Sequence, residues 1–318
     1  MPSLAQLEAA AAVVHETLTP TAQVCWPLIS ERSGCEVWVK HENHTPIGAF
    51  KVRGGLVYMK ELLEAEPDLK GVITATRGNH GQSVAFAARH YGVKAIIVVP
   101  RGNSVEKNRA MRAFGGELVE LGHDYTAAAE HAEGLARERG LHMLPSFHER
   151  LVCGVASYAL ELFRAVNDLD TVYVPIGLGS GMCGLIAARD ALGLKTRIVG
   201  VVAEKAACYA LSFAEGRPVA TQSADTLADG MAVRKPSAEA LEIILERGER
   251  VVTVSEEEIL EAMGHYFADT HNLAEGAGAA ALAALLKERD KMRGKKVGLI
   301  LSGGNLDRDL YLRALKHA

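Results

Sequence analysis

Short apolar segments alternate with helical patterns from about residue 36 to the end of the chain, and this alternation constrains the fold more than any other feature. Several segments are β-branched and apolar at consecutive positions, which is typical of parallel strands buried on both faces. Alternation of this kind predicts an α/β protein built on parallel sheets. The candidate strands cover residues 36–40, 71–75, 94–99, 117–121, 171–176, 197–203, 250–254 and 296–301.

Signals for helix ends lie between these strands. The pattern over residues 124–139 begins at Asp124, a common N-cap residue, and is followed by Gly140, a common residue after a helix end. The pattern over residues 255–269 opens with Ser-Glu-Glu-Glu, a capping-box sequence with acidic residues at the positive end of the helix dipole. A further helix is predicted over residues 82–91, and an amphipathic helix at the N-terminus.

Overall composition narrows the class of protein. The 318 residues have room for two packed domains, and 48% hydrophobic with 23% charged residues is ordinary for a globular protein. A net charge of −4 without a basic cluster predicts no nucleic-acid binding. The lack of an apolar run of about 18 residues predicts no membrane span. An N-terminus without signal-peptide features and five cysteines without metal-type spacing favour free thiols in the cytoplasm. These cysteines are Cys25, Cys35, Cys153, Cys183 and Cys208.

Lys51 is the most informative single residue, although the chain has 35 basic residues and a lone lysine means little. It ends the sequence GAFK, and three other glycine-containing turns, TRGNH, PIGLGSG and LSGGN, each follow a predicted strand. Together these motifs supply an amine, an anion cradle and polar hydrogen-bonding groups. This is the equipment that holds a phosphorylated carbonyl cofactor as a Schiff base, so we expect pyridoxal 5′-phosphate (PLP).

The turns follow strands, and ligands of open α/β sheets gather beyond the carboxyl ends of strands. The glycine-rich loop before a predicted helix favours phosphate, because several backbone N–H groups and the helix dipole converge on one anion. Its residues are Gly177, Leu178, Gly179, Ser180 and Gly181. In the second turn, Thr76, Asn79 and the first N–H groups of the next helix can bind a carboxylate. Ser302 serves either as a turn hydroxyl or as a partner of a ring nitrogen.

The glycine loop also allows a different hypothesis. The six residues that follow Leu178 satisfy G-x-G-x-x-G, and Glu204 lies 20 residues past Gly184, as in dinucleotide-binding folds. An NAD(P)-dependent oxidoreductase is therefore a remote alternative. It leaves the other three motifs, including Lys51, without a role.

In this order and spacing, the four motifs resemble the tryptophan-synthase-β-like (fold type II) PLP family, specifically its threonine/serine dehydratase and serine racemase branch. The resemblance extends from about residue 20 to residue 310. It implies two open, twisted, mostly parallel sheets flanked by helices, with the cofactor between a large and a small domain. The large PLP-binding domain would comprise residues 1–53 and 149–318, and the small substrate-carboxylate domain residues 54–148. The resemblance also implies a homodimer.

The resemblance implies roles for individual residues. Lys51, preceded by Phe50, matches the Schiff-base lysine, Asn79 of GNHGQ matches the residue that binds the cofactor 3′-oxygen, and Ser302 matches the partner of the pyridine nitrogen. Gly230 ends a segment resembling the T-x-A-D-G loop beside the ring, and Glu275 begins the E-x-x-G segment. The implied substrate-binding residues are Thr76, Arg77, Gly78, Asn79 and His80.

Departures from the family pattern limit what is carried over. Leu178 and Ser180 replace two glycines of the phosphate loop, which leaves the backbone N–H donors in place. The family's divalent-cation site keeps only Glu204 here, so we predict no metal site. Arg77 replaces a serine that acts as the opposite-face acid/base in serine racemases. Because arginine stays protonated, this replacement disfavours racemisation.

The implied reaction is β-elimination from a 3-hydroxy amino acid such as L-threonine or L-serine, releasing a 2-keto acid and ammonia. Alternatives are dehydration of 3-hydroxyaspartate, phenylserine or a hydroxyectoine-derived amino acid, and racemisation. The presence of Arg77 does not by itself identify the substrate, because two kinds of role are open to it. It either pairs with a second anionic group or caps a larger side chain of the substrate, or it points away and ties the two domains together.

Overall fold

The computed structural model of the chain describes residues 1–317, and within them it contains two sheets surrounded by helices. Its strands are β1 (Gln23–Cys25), β2 (Glu36–His41), β3 (Val72–Ala75), β4 (Ala95–Val99), β5 (Glu117–Glu120), β6 (His142–Met143), β7 (Thr171–Pro175), β8 (Arg197–Ala203), β9 (Arg250–Val254) and β10 (Lys296–Leu301). Its α-helices are α1 (Leu4–His15), α2 (Pro27–Ser33), α3 (Lys51–Ala65), α4 (Asn79–His90), α5 (Val105–Ala113), α6 (Tyr125–Arg139), α7 (Glu149–Ala165), α8 (Ser180–Ala191), α9 (Cys208–Glu215), α10 (Ala238–Arg247), α11 (Glu256–Thr270), α12 (Gly276–Lys287), α13 (Arg289–Met292) and α14 (Arg308–Ala314).

The larger sheet has six strands in the order β1-β2-β10-β7-β8-β9, and the smaller has four in the order β5-β4-β3-β6. Every neighbouring pair is parallel except β1 with β2. All residues of β4 and β7 are buried, as expected for strands covered by helices on both faces. The predicted fold class, two mostly parallel sheets flanked by helices, is confirmed.

The eight predicted strands all form, with ends that differ by at most one residue. β1 and β6 were not predicted, because strands of three and two residues carry no readable periodicity. They exist through their partners, β2 and β3. The smaller sheet lies entirely between β2 and β7 in sequence, while the domain boundaries near residues 53 and 148 stay a prediction.

Most helix ends follow the sequence signals. Asp124 caps α6, whose C-terminus is followed by Gly140 in the left-handed region at φ 64°. Ser255 and Glu258 form the capping box of α11. The predicted start of α4 at residue 82 is wrong: the helix begins at Asn79, because the Gly78 carbonyl already accepts the first helical hydrogen bond, from Gln82 N.

Helices α3 and α7 join the two sheets. α7 packs on α8 beside the larger sheet and on α3, which in turn packs on α4 beside the smaller sheet. The apolar face of α3, including Leu56, belongs to the same core as Ile97 of β4. The apolar face of α7, including Leu162, belongs to the core of β7. The N-terminus of α3, where Lys51 lies, is thereby fixed between the sheets. No helix within residues 1–317 is long and apolar enough to cross a bilayer.

Candidate active site between the two sheets

Lys51 is the first residue of α3, and its loop lies against the carboxyl end of β10. Phe50 N donates to Ser302 O at 3.0 Å, and Ala49 forms a β-bridge with Gly303. Gly48 reverses the chain at φ 68°, a left-handed conformation that favours glycine. Two of the four sequence motifs, GAFK and SGGN, are therefore joined directly although about 250 residues separate them.

The amine of Lys51 lies in a weakly solvated cleft. Its Nζ is 5.0 Å from the centroid of the Phe50 ring. Burial lowers the pKa of Lys51 to about 8, while the nearby Glu275 carboxylate acts in the opposite direction. A substantial fraction of this amine is neutral near physiological pH, which is the state required of a nucleophile or a base.

The loop of residues 177–181 connects β7 to α8. The hydroxyl groups of Tyr209 and Tyr158 donate to the carbonyls of Leu178 and Gly181, each at 2.8 Å. Within the described residues, the N–H groups of Gly177, Leu178 and Gly179 donate to no protein acceptor. Unpaired N–H groups at a helix N-terminus form an anion site, and the replacements Leu178 and Ser180 do not remove them.

The turn of residues 76–80 lies on the smaller sheet, after β3. Thr76 Oγ1 accepts from Gly78 N at 3.0 Å and from Gly81 N at 3.2 Å, which fixes the turn. His80 is buried and its Nε2 has no hydrogen-bond partner. Burial, with Lys51 nearby, lowers the pKa of His80 to about 3, so its ring is neutral.

Asn79 contacts Glu275, the residue before α12, a helix that packs on the larger sheet. Asn79 Nδ2 donates to Glu275 Oε1 at 2.7 Å, and Glu275 is buried. Burial raises the pKa of Glu275, with the positive Lys107 opposing this effect. Ser302 is also buried, and its hydroxyl group forms no hydrogen bond with the described protein. Gly230 packs closely against α12, since a Cβ at this position would lie 2.9 Å from Ala277 Cβ.

Arg77 and Lys107 both pair with Asp229 across the cleft. Lys107 Nζ lies 2.7 Å from Asp229 Oδ2, and Arg77 Nη2 lies 3.8 Å from Asp229 Oδ1 with half of its side chain exposed. Burial alone would lower the pKa of Lys107, but Glu275 and Asp229 outweigh burial and raise it. Of the two roles considered for Arg77, this position agrees with a link between the two sheets.

The sequence analysis missed the roles of Lys107, Asp229 and Asn305. Lys107 lies on the buried face of α5, one turn before the buried Met111, and a lysine at an apolar helical position was the available signal. Asp229 and Asn305 belong to motifs that were identified without assigning these residues a role. Their partners lie more than 100 residues away and follow only from the fold.

Glu204, the remaining residue of the family's cation site, lies 3.6 Å from Lys287 Nζ. Among the described residues, no group of three or more His, Cys, Asp or Glu side chains is arranged to hold a metal ion. The absence of a metal site stays a prediction.

Residues 14–303 match the family of pyridoxal-phosphate dependent enzymes. The chain belongs to this family. It is 33% identical over 304 residues to the L-threonine ammonia-lyase of Thermotoga maritima, a match that covers 95% of this chain and 74% of that protein. It is 31% identical over 301 residues to the L-threo-3-hydroxyaspartate ammonia-lyase of Saccharomyces cerevisiae, covering 94% of this chain and 91% of that protein. The chain spans little more than half the length of several biosynthetic L-threonine dehydratases that it matches.

Solved structures agree with this family. The processed form of threonine deaminase isoform 2 from Solanum lycopersicum superimposes with a TM-score of 0.92 at 30% identity, over 99% of this chain and 93% of that one. The oxidoreductase alternative loses its basis, because the family uses a different cofactor. The G-x-G-x-x-G match is explained by the phosphate loop and by close packing: a Cβ at Gly184 would lie 3.1 Å from Ala156 N of α7.

The residues around Lys51 fit PLP. The unpaired N–H groups of the 177–181 loop are suitable donors for the phosphate of PLP. The free Ser302 hydroxyl and the second N–H of Asn79 are suitable donors for the ring of PLP. Glycines allow the segments around the site to pack closely: a Cβ at Gly303 would lie 2.6 Å from Glu275 Oε1, and one at Gly177 would lie 2.3 Å from Gly230 O.

Proposed function

We propose that the protein is a PLP-dependent ammonia-lyase that dehydrates and deaminates a 3-hydroxy amino acid, such as L-threonine or L-serine, to a 2-keto acid and ammonia. The observation that carries this proposal is Lys51, an amine with a pKa of about 8 placed between a loop of free N–H donors and the Asn79–Glu275 pair. The similarity to L-threonine ammonia-lyase and threonine deaminase supports the same reaction.

Each residue has a chemical task in this proposal. When bound, PLP supplies the carbonyl that captures the substrate amine and the electron sink that acidifies Cα. The neutral Lys51 Nζ accepts the Cα proton, which its lowered pKa allows near pH 8. The loop of residues 177–181 holds the phosphate, and Phe50, Gly230 and Glu275 line the ring site.

Two further residues orient the ring. Ser302 would donate a hydrogen bond to the ring nitrogen without protonating it, because an aliphatic hydroxyl group is a far weaker acid than a pyridinium ion. Asn79 donates to the 3′-oxygen. The turn at Thr76, Gly78 and His80 receives the substrate carboxylate, with its backbone held by Thr76 Oγ1.

Charge balance in the cleft favours a substrate with an uncharged side chain. Arg77 of the turn and Lys107 beside it both already face Asp229, and Glu275 is a second carboxyl group near Lys107. Neither of these two cations is left without a protein partner for the second carboxylate of 3-hydroxyaspartate. Racemisation is disfavoured because Arg77 replaces a titratable hydroxyl group, and the Thr76 hydroxyl oxygen already accepts two N–H bonds.

The experiment measures 2-keto acid release from purified protein with PLP, comparing L-threonine, L-serine and the 3-hydroxyaspartate isomers by kcat/KM. We expect L-threonine or L-serine to be preferred. Lys51→Ala should abolish turnover, whereas Lys60→Ala, on the same helix and paired with Glu16, should not. Turnover restricted to the dicarboxylic substrates would refute the charge argument, and activity retained in Lys51→Ala would refute the mechanism.

We extend the proposal to the cellular compartment, the cytoplasm, and to the oligomeric state, a homodimer. The five thiols are all free, which agrees with a reducing cytoplasm. A homodimer is carried over from the family resemblance, and light scattering of the purified protein tests it.

A further inference from the structure

Asn305, the last residue of SGGN, lies where three motifs meet. Its Nδ2 donates to Ile47 O of the lysine loop at 2.7 Å and to Asn79 Oδ1 at 2.9 Å. The backbone around it is equally fixed, since Gly304 N donates to Gly48 O at 2.9 Å. A Cβ at Gly48 would lie 2.8 Å from Asn305 Oδ1, so glycine is required there for close approach as well as for its positive φ. Both N–H hydrogens of the Asn305 amide are therefore used.

The contacts of Asn79 allow its amide one orientation only. Its Oδ1 accepts from Asn305, and its Nδ2 donates to Glu275 at 2.7 Å. Rotating the amide by 180° would place two NH₂ groups opposite each other at Asn305. It would also place an oxygen opposite the buried Glu275 carboxyl group. A buried polar group left without a partner costs about 1–3 kcal/mol, and of these three residues Glu275 is buried while Asn79 and Asn305 are half-buried, so the flipped orientation is disfavoured.

We propose that Asn305 is a positioning residue which, together with Glu275, holds the amide of Asn79 in this one orientation and so keeps its second N–H available to the cofactor. The proposal rests on the cofactor-binding residues proposed above and not on the identity of the substrate. Both N–H groups of the Asn305 amide already donate to protein oxygens, so Asn305 would act on the cofactor through Asn79.

The test measures the dissociation constant of PLP and the absorbance maximum of the bound cofactor at pH 8, without any amino acid, for Asn305→Asp and Asn305→Ala. Asp has the shape of Asn but cannot donate when ionised, so it attracts Asn79 Nδ2 and favours the flipped amide. Ala removes the donor without favouring the flip. We expect the dissociation constant to rise about tenfold or more for Asp, with a shifted absorbance maximum, and to rise less for Ala.

A packing role would give the opposite order, because Ala leaves a cavity and Asp does not. An unchanged constant for Asn305→Asp, or a larger effect for Ala than for Asp, would overturn the proposal. Asn103→Asp is the control, since it makes the same change in a second amide pair, with Asn108, which is buried whereas the Asn79–Asn305 pair is half-buried, and it should leave PLP affinity unchanged. A wild-type protein that binds PLP but turns over no hydroxy amino acid would refute the proposed function only. The PLP dissociation constants of the wild type, Asn305→Asp and Asn305→Ala would still decide this proposal.

Discussion

Arg53 lies two residues after Lys51 in a buried cluster of charges, defined by Lys40, Glu42, Arg53 and Glu161. Arg53 Nε is 2.7 Å from Glu42 Oε2, and Arg53 Nη1 is 2.6 Å from Glu161 Oε1. Lys40 Nζ completes the cluster at 2.5 Å from Glu161 Oε2. The side chains of Lys40, Glu42 and Arg53 have no exposed surface, and that of Glu161 has 7%. The cluster joins β2, α3 and α7 directly beneath the site.

The change Arg53→Met removes one cation and leaves the two carboxylates with Lys40 and with His15, whose Nε2 lies 2.8 Å from Glu161 Oε1. Breaking a buried ion pair in this way costs about 3–5 kcal/mol of folding free energy. The pKa of Glu161 gives a second route to the magnitude. Burial alone would raise this pKa, but Arg53 and Lys40 outweigh burial and lower it from the usual 4.5 to about 2. A difference of that size corresponds to about 3 kcal/mol at neutral pH for burial and all partners of Glu161 together, which is the same order of magnitude as the first value.

The sign of the pH dependence follows from the same pKa. Because the carboxyl group of Glu161 has a lower pKa in the folded state, its stabilising effect is complete above about pH 5 and is lost as the pH falls toward about 2. Urea unfolding should therefore show a deficit of about 3–5 kcal/mol for Arg53→Met at pH 7, and a smaller deficit near pH 3.

The control is Arg112→Met, whose pair with Glu120 at 3.3 Å is about half exposed, and whose loss should cost less than about 1 kcal/mol. A deficit for Arg53→Met below about 1 kcal/mol at pH 7, or one that does not change with pH, would show that the cluster does not stabilise the fold as argued.

Two other predictions concern cofactor loading. In Gly177→Ala the new Cβ would lie 2.3 Å from Gly230 O, so the two loops must separate and the dissociation constant of PLP should rise at least about tenfold. Gly134→Ala in α6, where the new Cβ would meet no atom of another segment within 4 Å, should keep that constant and gain about 0.5–1 kcal/mol of stability. Equal PLP affinity of the two variants would contradict this view of the loop. The rate of PLP binding to the cofactor-free chain, followed by stopped-flow absorbance, should rise with pH with a midpoint of about 8, because burial lowers the pKa of Lys51 and the neutral amine is the nucleophile. A midpoint near the ordinary lysine value of about 10.4 would exclude a lowered pKa.

The sequence by itself determined the features that depend on neighbouring residues. Strand and helix positions follow from the spacing of apolar side chains, and the ends of α6 and α11 follow from Asp124, Gly140 and Ser255, because capping involves residues three or four positions apart. The lysine motif and the glycine loop were readable for the same reason. A turn or an anion cradle is built from consecutive residues.

Only the tertiary structure decided which of these local motifs meet. The pairing of β2 with β10 brings the Lys51 loop to the SGGN turn, and the placement of α5 brings Lys107 to Asp229. The strands β1 and β6 are too short to form without their partners, and Asn79 obtains its orientation from Asn305, 226 residues away. Hydrogen bonds and ion pairs of this kind join residues whose separation in sequence has no bearing on their distance in space. They are set by how the two sheets and the helices between them bury their apolar faces, which is a property of the whole fold.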